Sequence, residues 1–481
     1  RMSSMVKTRP DWCLSRQRLW GIPIPAVICT ACGEGILDPR IIERFAKLAE
    51  ATPDGSDRWF TEPVKKWLPE GFACGCGGRE FKPGTDILDV WFDSGVSHQG
   101  VLTRREGLSF PADLYLEGSD QHRGWFQVSL ITSIALKDKP PYRGVLTHGF
   151  VVDGEGRKMS KSLGNVMAPQ EVVSSLGADV LRLWVASSDY REDIRLSPAI
   201  LNQVAEVYRK IRNTLRFCLA NVADFKMEEA VPAARMEELD RWILSSLSAL
   251  VEEVTQSYQA YAFHRVVKSL HEFCTVRLSN FYLDVIKDTL YTSFPKEPRR
   301  LSAQTALVQL AQTLVCLIAP ILPMTAEEAW GALERENQSV HLGDWPDPAT
   351  FPRDEKLEES WGRLLGLRDE AMKSLEKARM EGLIGDPLQA HLEVLVRDED
   401  LWKFLEPRGE IFATACIVSS LKMSKGSGDG APLTLSVTKA PGAKCQRCWM
   451  VLPTVGQSRE HPQLCHRCVE VLNKLTHSTS A

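Results

Sequence analysis

Three successive textures predict a multidomain chain: an α/β region, an all-α bundle and a small α+β region closed by a zinc ribbon. In residues 1–195, strand-length apolar runs bounded by Gly and Pro alternate with helix-length segments, the pattern of an α/β sheet. In 196–345, apolar residues recur every three or four positions without strand-like alternation, as in an antiparallel helix bundle. The remainder mixes short helices and strands in 346–440 and ends in paired cysteines within 441–475.

Composition supports folded domains. The chain has 481 residues, 44% hydrophobic and 25% charged, a net charge of −4 and 13 Trp, which supplies real cores and excludes wholesale disorder. The longest apolar run, Thr313 to Met324, is too short for a membrane span and carries Pro320 and Pro323. We read no targeting peptide in the first residues of the chain. It begins at Arg1 without an initiator Met, so we expect a piece of something longer.

In the first region, 22–28, 114–116 and 145–152 read as strands, and Trp125 to Lys137 and Pro169 to Leu176 as helices. The bundle reads as helices over 239–255, 262–290 and 302–318. A Pro- and Asp-rich linker, His341 to Pro346, leads to helical sequence at 355–381 and 398–405, with strands expected at 390–396, 411–421 and 433–438.

Thirteen cysteines are too few for a disulfide scaffold, and isolated apolar-context thiols such as Cys218 and Cys274 fit a reducing compartment. Eight fall into close pairs. Cys445-x2-Cys448 and Cys465-x2-Cys468, sixteen residues apart, let two knuckles converge on one Zn²⁺; surface thiols or a redox pair are the bland alternative. Cys29-x2-Cys32 and Cys74-x-Cys76 form a looser set within an insertion at about 28–80, with Gly33, Gly75, Gly77 and Gly78 for tight turns.

The sharpest motif runs from His148 to Asn165. A strand enters a Gly-flanked turn and then a loop with Lys158 and Lys161 three apart, able to bring two ammonium groups onto a polyphosphate. A solvated basic loop is the alternative. Lys422-Met423-Ser424-Lys425 repeats four of the letters, but it enters a Gly/Ser/Asp tract, 424–430, that reads as a flexible hairpin loop, so we treat it as coincidence.

Lys158 to Ser162 is similar to the KMSKS signature of class I aminoacyl-tRNA synthetases. Asp11 to Pro25 resembles the segment after the editing insertion of the branched-chain enzymes. Asp89-Val90-Trp91-Phe92-Asp93-Ser94-Gly95 and Leu114 to Phe126 resemble the isoleucyl family in particular. The resemblance covers essentially the whole chain. It implies the C-terminal half of a Rossmann-type catalytic domain, an anticodon-binding bundle and two zinc sites. The implied chemistry is ATP-dependent ligation of L-isoleucine to tRNA(Ile) through isoleucyl-adenylate, with Mg²⁺ and Zn²⁺, by a monomer without membrane association.

Residue by residue, the resemblance places Glu117, Gly118, Asp120 and Gln121 at the adenylate, where a carboxylate can hold an ammonium or a ribose hydroxyl. Trp91 and Trp125 would wall the isoleucine side chain, or are simply core. His148, Gly149 and Phe150 would border adenine, and Lys158, Ser160 and Lys161 the phosphates, with Lys158 and Lys161 catalytic. His122 reads as either a site residue or a structural hydrogen-bonding group. In the bundle, Arg209, Lys210, Arg212 and Arg216 would contact tRNA phosphates, or form a solvated face. The ribbon carries five basic against two acidic residues, and Trp449 would stack on a base or cap the knuckle.

The family's HIGH motif and editing insertion are missing, so we expect this chain alone not to make the adenylate. A non-catalytic tRNA-binding form or paralogue is the alternative function. The four-Cys ribbon fits bacterial and organellar enzymes; we expect the mitochondrial matrix, with the bacterial cytoplasm as the alternative.

Overall fold

The computed structural model describes residues 2–333, 339–351 and 353–478. Two compact units emerge, one running to Val151 and including Arg191–Asp193, the other comprising Val152–Tyr190 and the chain from Ile194. They part at 151, so the loop of Lys158 and Lys161 groups with the helical unit.

The first unit contains a small sheet of β1 (Val27–Cys29), β2 (Gly35–Ile36) and β3 (Phe81–Pro83), in the order β2-β1-β3. Helix α1 (Pro39–Glu50) starts where Asp38 accepts from the Arg40 N–H and Pro39 presets the first turn. Phe45 meets Trp59 and Trp67 edge-on at 5.1 and 5.3 Å, so the Cys-bearing insertion has its own aromatic core. The expected strand over 22–28 shrinks to β1, with Pro23 in an isolated bridge; Pro23 and Pro25 have no N–H to give a ladder.

After α2 (Val90–Gly95), the strands β4 (Ala112–Gly118) and β5 (Tyr142–His148) pair in parallel across α3 (Trp125–Lys137). Their register runs from Ala112↔Tyr142 to Gly118↔His148, which aligns Glu117 with Thr147 and puts both candidate strand ends side by side. Tyr115, Phe126 and Tyr142 are buried between helix and strands.

The second unit begins within β6 (Val151–Asp153) and continues with α4 (Pro169–Leu176), α5 (Ala178–Ser187) and β7 (Ile194–Leu196), the partner strand of β6. The bundle is α6 (Pro198–Asn221), α7 (Glu238–Gln259), α8 (Phe263–Glu272), α9 (Lys287–Thr292), α10 (Pro298–Ile318) and α11 (Pro323–Leu333). The expected helix over 262–290 is interrupted by a ten-residue π-helical stretch, Phe273–Tyr282. α10 is long and apolar enough to cross a membrane, yet it is largely buried as the bundle's central helix.

Helix α12 (Glu355–Met380) then packs on a three-stranded sheet of β8 (Ala390–Val396), β9 (Ser420–Lys425) and β10 (Leu433–Lys439), with α13 (Glu399–Leu405) and α14 (Gly409–Cys416) between β8 and β9. Two expectations fail here. The apolar run 411–421 is mostly α14, because Phe412, Ala415 and Cys416 bury one helical face, and Ile417 ends it in a left-handed conformation. The tract 424–430 is no hairpin, since β9 and β10 flank β8 on opposite sides. The second Lys-Met-Ser-Lys is strand β9, with Met423 turned to the core. The chain closes with β11 (Ala443–Lys444), β12 (Val451–Leu452) and α15 (His466–Ser478).

Candidate active site and metal centres

In the first unit, the C-terminal ends of β4 and β5 gather most of the expected adenylate and adenine residues. Glu117 is exposed and its carboxylate has no hydrogen bond or ion pair among the described residues, so it is open to a ligand. A Cβ on Gly118 would lie 2.7 Å from Asp120 Oδ1 and 3.8 Å from the His148 and Phe150 rings, so Gly118, Asp120, His148 and Phe150 are neighbours. Gln121 donates to Asp120 Oδ2 at 3.0 Å and accepts the Trp125 backbone N–H at 3.0 Å, which fixes its amide. The Trp91 ring lies over Gly124 and stays 43% exposed, as a wall residue would. Trp125 instead stacks on Tyr115 at 4.0 Å and donates to the Ser94 carbonyl, so it holds α3 to the core. His122 bonds the Ser119 carbonyl at 2.6 Å, a local structural role.

Gly149 has a backbone reason: a Cβ there would sit 2.3 Å from the Glu192 carbonyl oxygen. Beside it, the Phe150 N–H donates to Asp193 Oδ1 at 2.7 Å, and His148 Nδ1 donates to the Gly149 carbonyl at 2.7 Å.

In the second unit, the lysine loop has a fixed frame and free tips. Asp153 accepts from the Glu155 and Arg157 N–H groups, the Arg157 guanidinium and the Asn165 amide, at 2.8–3.0 Å. The Asn165 amide and the Arg157 backbone hold its carboxyl well below the usual carboxylate range. Asn165 Oδ1 in turn accepts the Ser160 N–H at 2.9 Å, and Ser160 Oγ caps the turn at Leu163. Met159 packs on the core. Lys158 and Lys161 are exposed, and neither ammonium is paired among the described residues. Sequence reading assigned no role to Asp153 or Asn165. Short polar side chains flanking a Gly-x-Gly turn were the available signal.

Both cysteine sets close. In each, all four sulfurs lie within 4.8 Å of one another. Cys29–Cys76, Cys32–Cys74 and Cys448–Cys465 are 3.8, 3.6 and 3.8 Å apart, near the ~3.8 Å edge of a tetrahedral zinc–thiolate site. The first set has Cys29 and Cys74 buried with Cys32 and Cys76 exposed; Cys445, Cys448, Cys465 and Cys468 are all buried. Gly33 and Gly77 turn the first knuckles at φ +80° and +85°, and Gly78 leaves room for Cys29 Sγ. At the equivalent turn of the ribbon stands Trp449 at φ +66°, 61% exposed, with Lys444 over its ring.

Residues 1–197 match the model of tRNA synthetases class I (I, L, M and V), 240–395 that of the anticodon-binding domain of tRNA ligase, and 442–471 the zinc finger found in FPG and IleRS. The chain is 49% identical to an isoleucine–tRNA ligase of Moorella thermoacetica and 48% to that of Syntrophotalea carbinolica, over 99% and 98% of its length. The chain belongs to the isoleucine–tRNA ligase family. It spans about half the length of these relatives, 52% of each. Among solved structures, the ternary LeuRS–tRNA–LeuAMS complex of Agrobacterium radiobacter K84 is similar at TM-score 0.51 and 22% identity, covering 74% of this chain and 46% of that one, which shows the fold. The two named ligases are bacterial and give the mitochondrial expectation no support.

Within this family's bundle the four expected basic residues on α6 are not equivalent. At about 100° per residue, Arg209, Arg212 and Arg216 share a face and Lys210 lies off it. Arg209 pairs with Glu206, and Arg212 forms a two-pronged pair with Glu328 of α11 at 2.7 Å. Lys210 and Arg216 have no acidic partner among the described residues. The ribbon is docked rather than tethered: Arg467 grips Asp288 of α9 at 2.6 and 2.7 Å, and Arg447 donates to the Thr292 carbonyl.

Proposed function

We propose that this chain supplies part of an enzyme that ligates L-isoleucine to tRNA(Ile) through isoleucyl-adenylate. The observation that carries the reading is the loop of Lys158 and Lys161, a pinned frame with two free ammonium groups, in a chain 49% identical to an isoleucine–tRNA ligase. In activation, a carboxylate oxygen of isoleucine attacks the α-phosphorus of ATP, and the bond from that phosphorus to the α,β-bridging oxygen breaks as pyrophosphate leaves. Lys158 and Lys161 offset the charge growing on the leaving group, while Ser160 keeps the turn in shape. Mg²⁺ supplies further phosphate neutralisation when bound.

Glu117 takes the substrate ammonium or ribose hydroxyls, with Gly118, Asp120 and Gln121 shaping the pocket floor. His148, Gly149 and Phe150 border adenine, and Trp91 packs on the amino acid side chain; Trp125 supports this wall from behind. Lys210, Arg216 and Trp449 are the first candidates for tRNA, followed by Arg209 and Arg212 once released from their carboxylates. Each cysteine set holds one Zn²⁺ and stiffens its knuckles. The domain reading that goes with this is 1–195 catalytic, 196–345 anticodon bundle, 346–440 α+β and 441–475 zinc ribbon. The proposed setting is a bacterial cytoplasm, supported by the bacterial source of the named relatives, and the proposed state is a monomer.

The test is aminoacylation by the protein at the length of its relatives. Isoleucine should be attached to a tRNA(Ile) transcript, and Lys161→Ala should lower kcat by about 100-fold, the scale of losing one charge-stabilising donor. Charging that survives Lys161→Ala unchanged rules out the proposed role of the loop.

A further inference from the structure

Helix α5 joins the lysine loop to the bundle through side chains that neither the loop nor the basic face contains. At one end, Trp184 Nε1 donates to the Arg195 carbonyl at 3.0 Å, holding β7, the partner strand of β6 from which the loop departs. At the other, two opposite charges grip the corner between α10 and α11. Buried Asp179 accepts the Thr325 N–H at 2.8 Å and its hydroxyl at 2.6 Å, satisfying donors in the first turn of α11. Arg182 donates to the Pro320 and Ile321 carbonyls at 2.7 and 2.9 Å. From that corner the chain of contacts runs on to α6: Thr325 Oγ1 bonds Tyr208 at 3.0 Å, and Glu328 holds Arg212.

We propose that Asp179 and Arg182 are positioning residues that transmit RNA binding on the bundle to the lysine loop. The inference rests on the tRNA reading above. A ligand that draws Arg212 from Glu328 or shifts α6 against α11 moves the 320–325 corner, and α5 carries that movement to β7, β6 and the loop frame. An element clamped at both ends by directional hydrogen bonds passes on a displacement that a loosely packed one would absorb.

Hydrogen exchange of residues 152–165 in the 481-residue chain, with and without a tRNA(Ile) transcript, tests this. Binding is measured in parallel by anisotropy. In the parent, saturating tRNA should change the exchange rate of that segment about fivefold. In Arg182→Gln and Asp179→Asn, tRNA should bind within about twofold of the parent while the change in exchange falls below about twofold, and Arg182→Lys should restore part of it. Variants that bind tRNA and respond like the parent overturn the inference, as does a parent that binds tRNA with no response at the loop. A parent that binds no tRNA overturns the tRNA reading itself, and this inference with it. Should Asp179→Asn fail to fold, the exposed Arg182 variants decide the matter alone.

Discussion

Gly149 and Asp153 show how single residues shape the candidate site without touching a substrate. With the Glu192 carbonyl 2.3 Å from where a Cβ would stand, Gly149→Ala forces the 149–150 turn away from 192–193. It should cost about 1–3 kcal/mol of the first unit's stability, read as a lowered urea midpoint; an unchanged midpoint would remove the steric argument. Asp153 works through charge. Its folded carboxyl titrates below the unfolded value of about 3.9, so its contribution is present above that pH and is lost as pH falls through the folded pKa. The loop frame should therefore hold constant from pH 5 to 8, and Asp153→Ala should speed backbone exchange across 155–165 throughout that range. The lysines were legible in the sequence because a spaced pair of charges beside glycines is a chemical pattern. Asp153 and Asn165 were not, since their roles lie in distances that only the fold creates.

At the level of elements, legibility followed periodicity. The expected bounds of α3, α4 and β8 were met, because helix-length or alternating runs with clear turns leave one solution. Strand 411–421 failed because a short apolar run fits either state, and α14 was decided by which residues α12 and the sheet could bury. The basic stretch on α6 was legible as charge, but its pairing with Glu206 and Glu328 was hidden in the partners' locations. If Arg216 touches phosphate, Arg216→Ala should reduce the slope of log Kd for tRNA against log salt by about one, while Arg209→Ala should change it less. Equal slopes for the parent and Arg216→Ala would remove that contact. Buried Asp240 sits where α7, the π-helical stretch and α10 meet, bonded by Tyr282 and Ser302, and burial pushes its carboxyl up to about 6. Its folded pKa is raised, so its favourable contribution is full below about pH 4 and is lost as pH rises through 6. The stability of the parent relative to Asp240→Asn should fall by on the order of 2 kcal/mol between pH 4.5 and 7, read by urea denaturation. A constant difference would show that the carboxyl is not raised.

Across the whole molecule, the textures anticipated the order of α/β, bundle, α+β and ribbon, and the cysteine spacing anticipated both clusters. What the sequence left unread was the division at 151, because Val145 to Val152 looked like one continuous strand and Gly149 breaks it. Two closed sulfur clusters predict a metal content of two Zn²⁺ per chain by atomic absorption; Cys445→Ser and Cys32→Ser should each lower it to one. A fall to zero in either variant would mean that the sites do not form independently. The family assignment itself is tested most directly by ATP–pyrophosphate exchange with a panel of amino acids, using the protein at the length of its relatives beside this 481-residue chain. Exchange should depend on isoleucine, with valine weaker by roughly 10- to 200-fold, as one methylene allows, and the shorter chain should show background exchange. Preference for another amino acid, or isoleucine-dependent exchange by the 481-residue chain alone, would contradict this expectation.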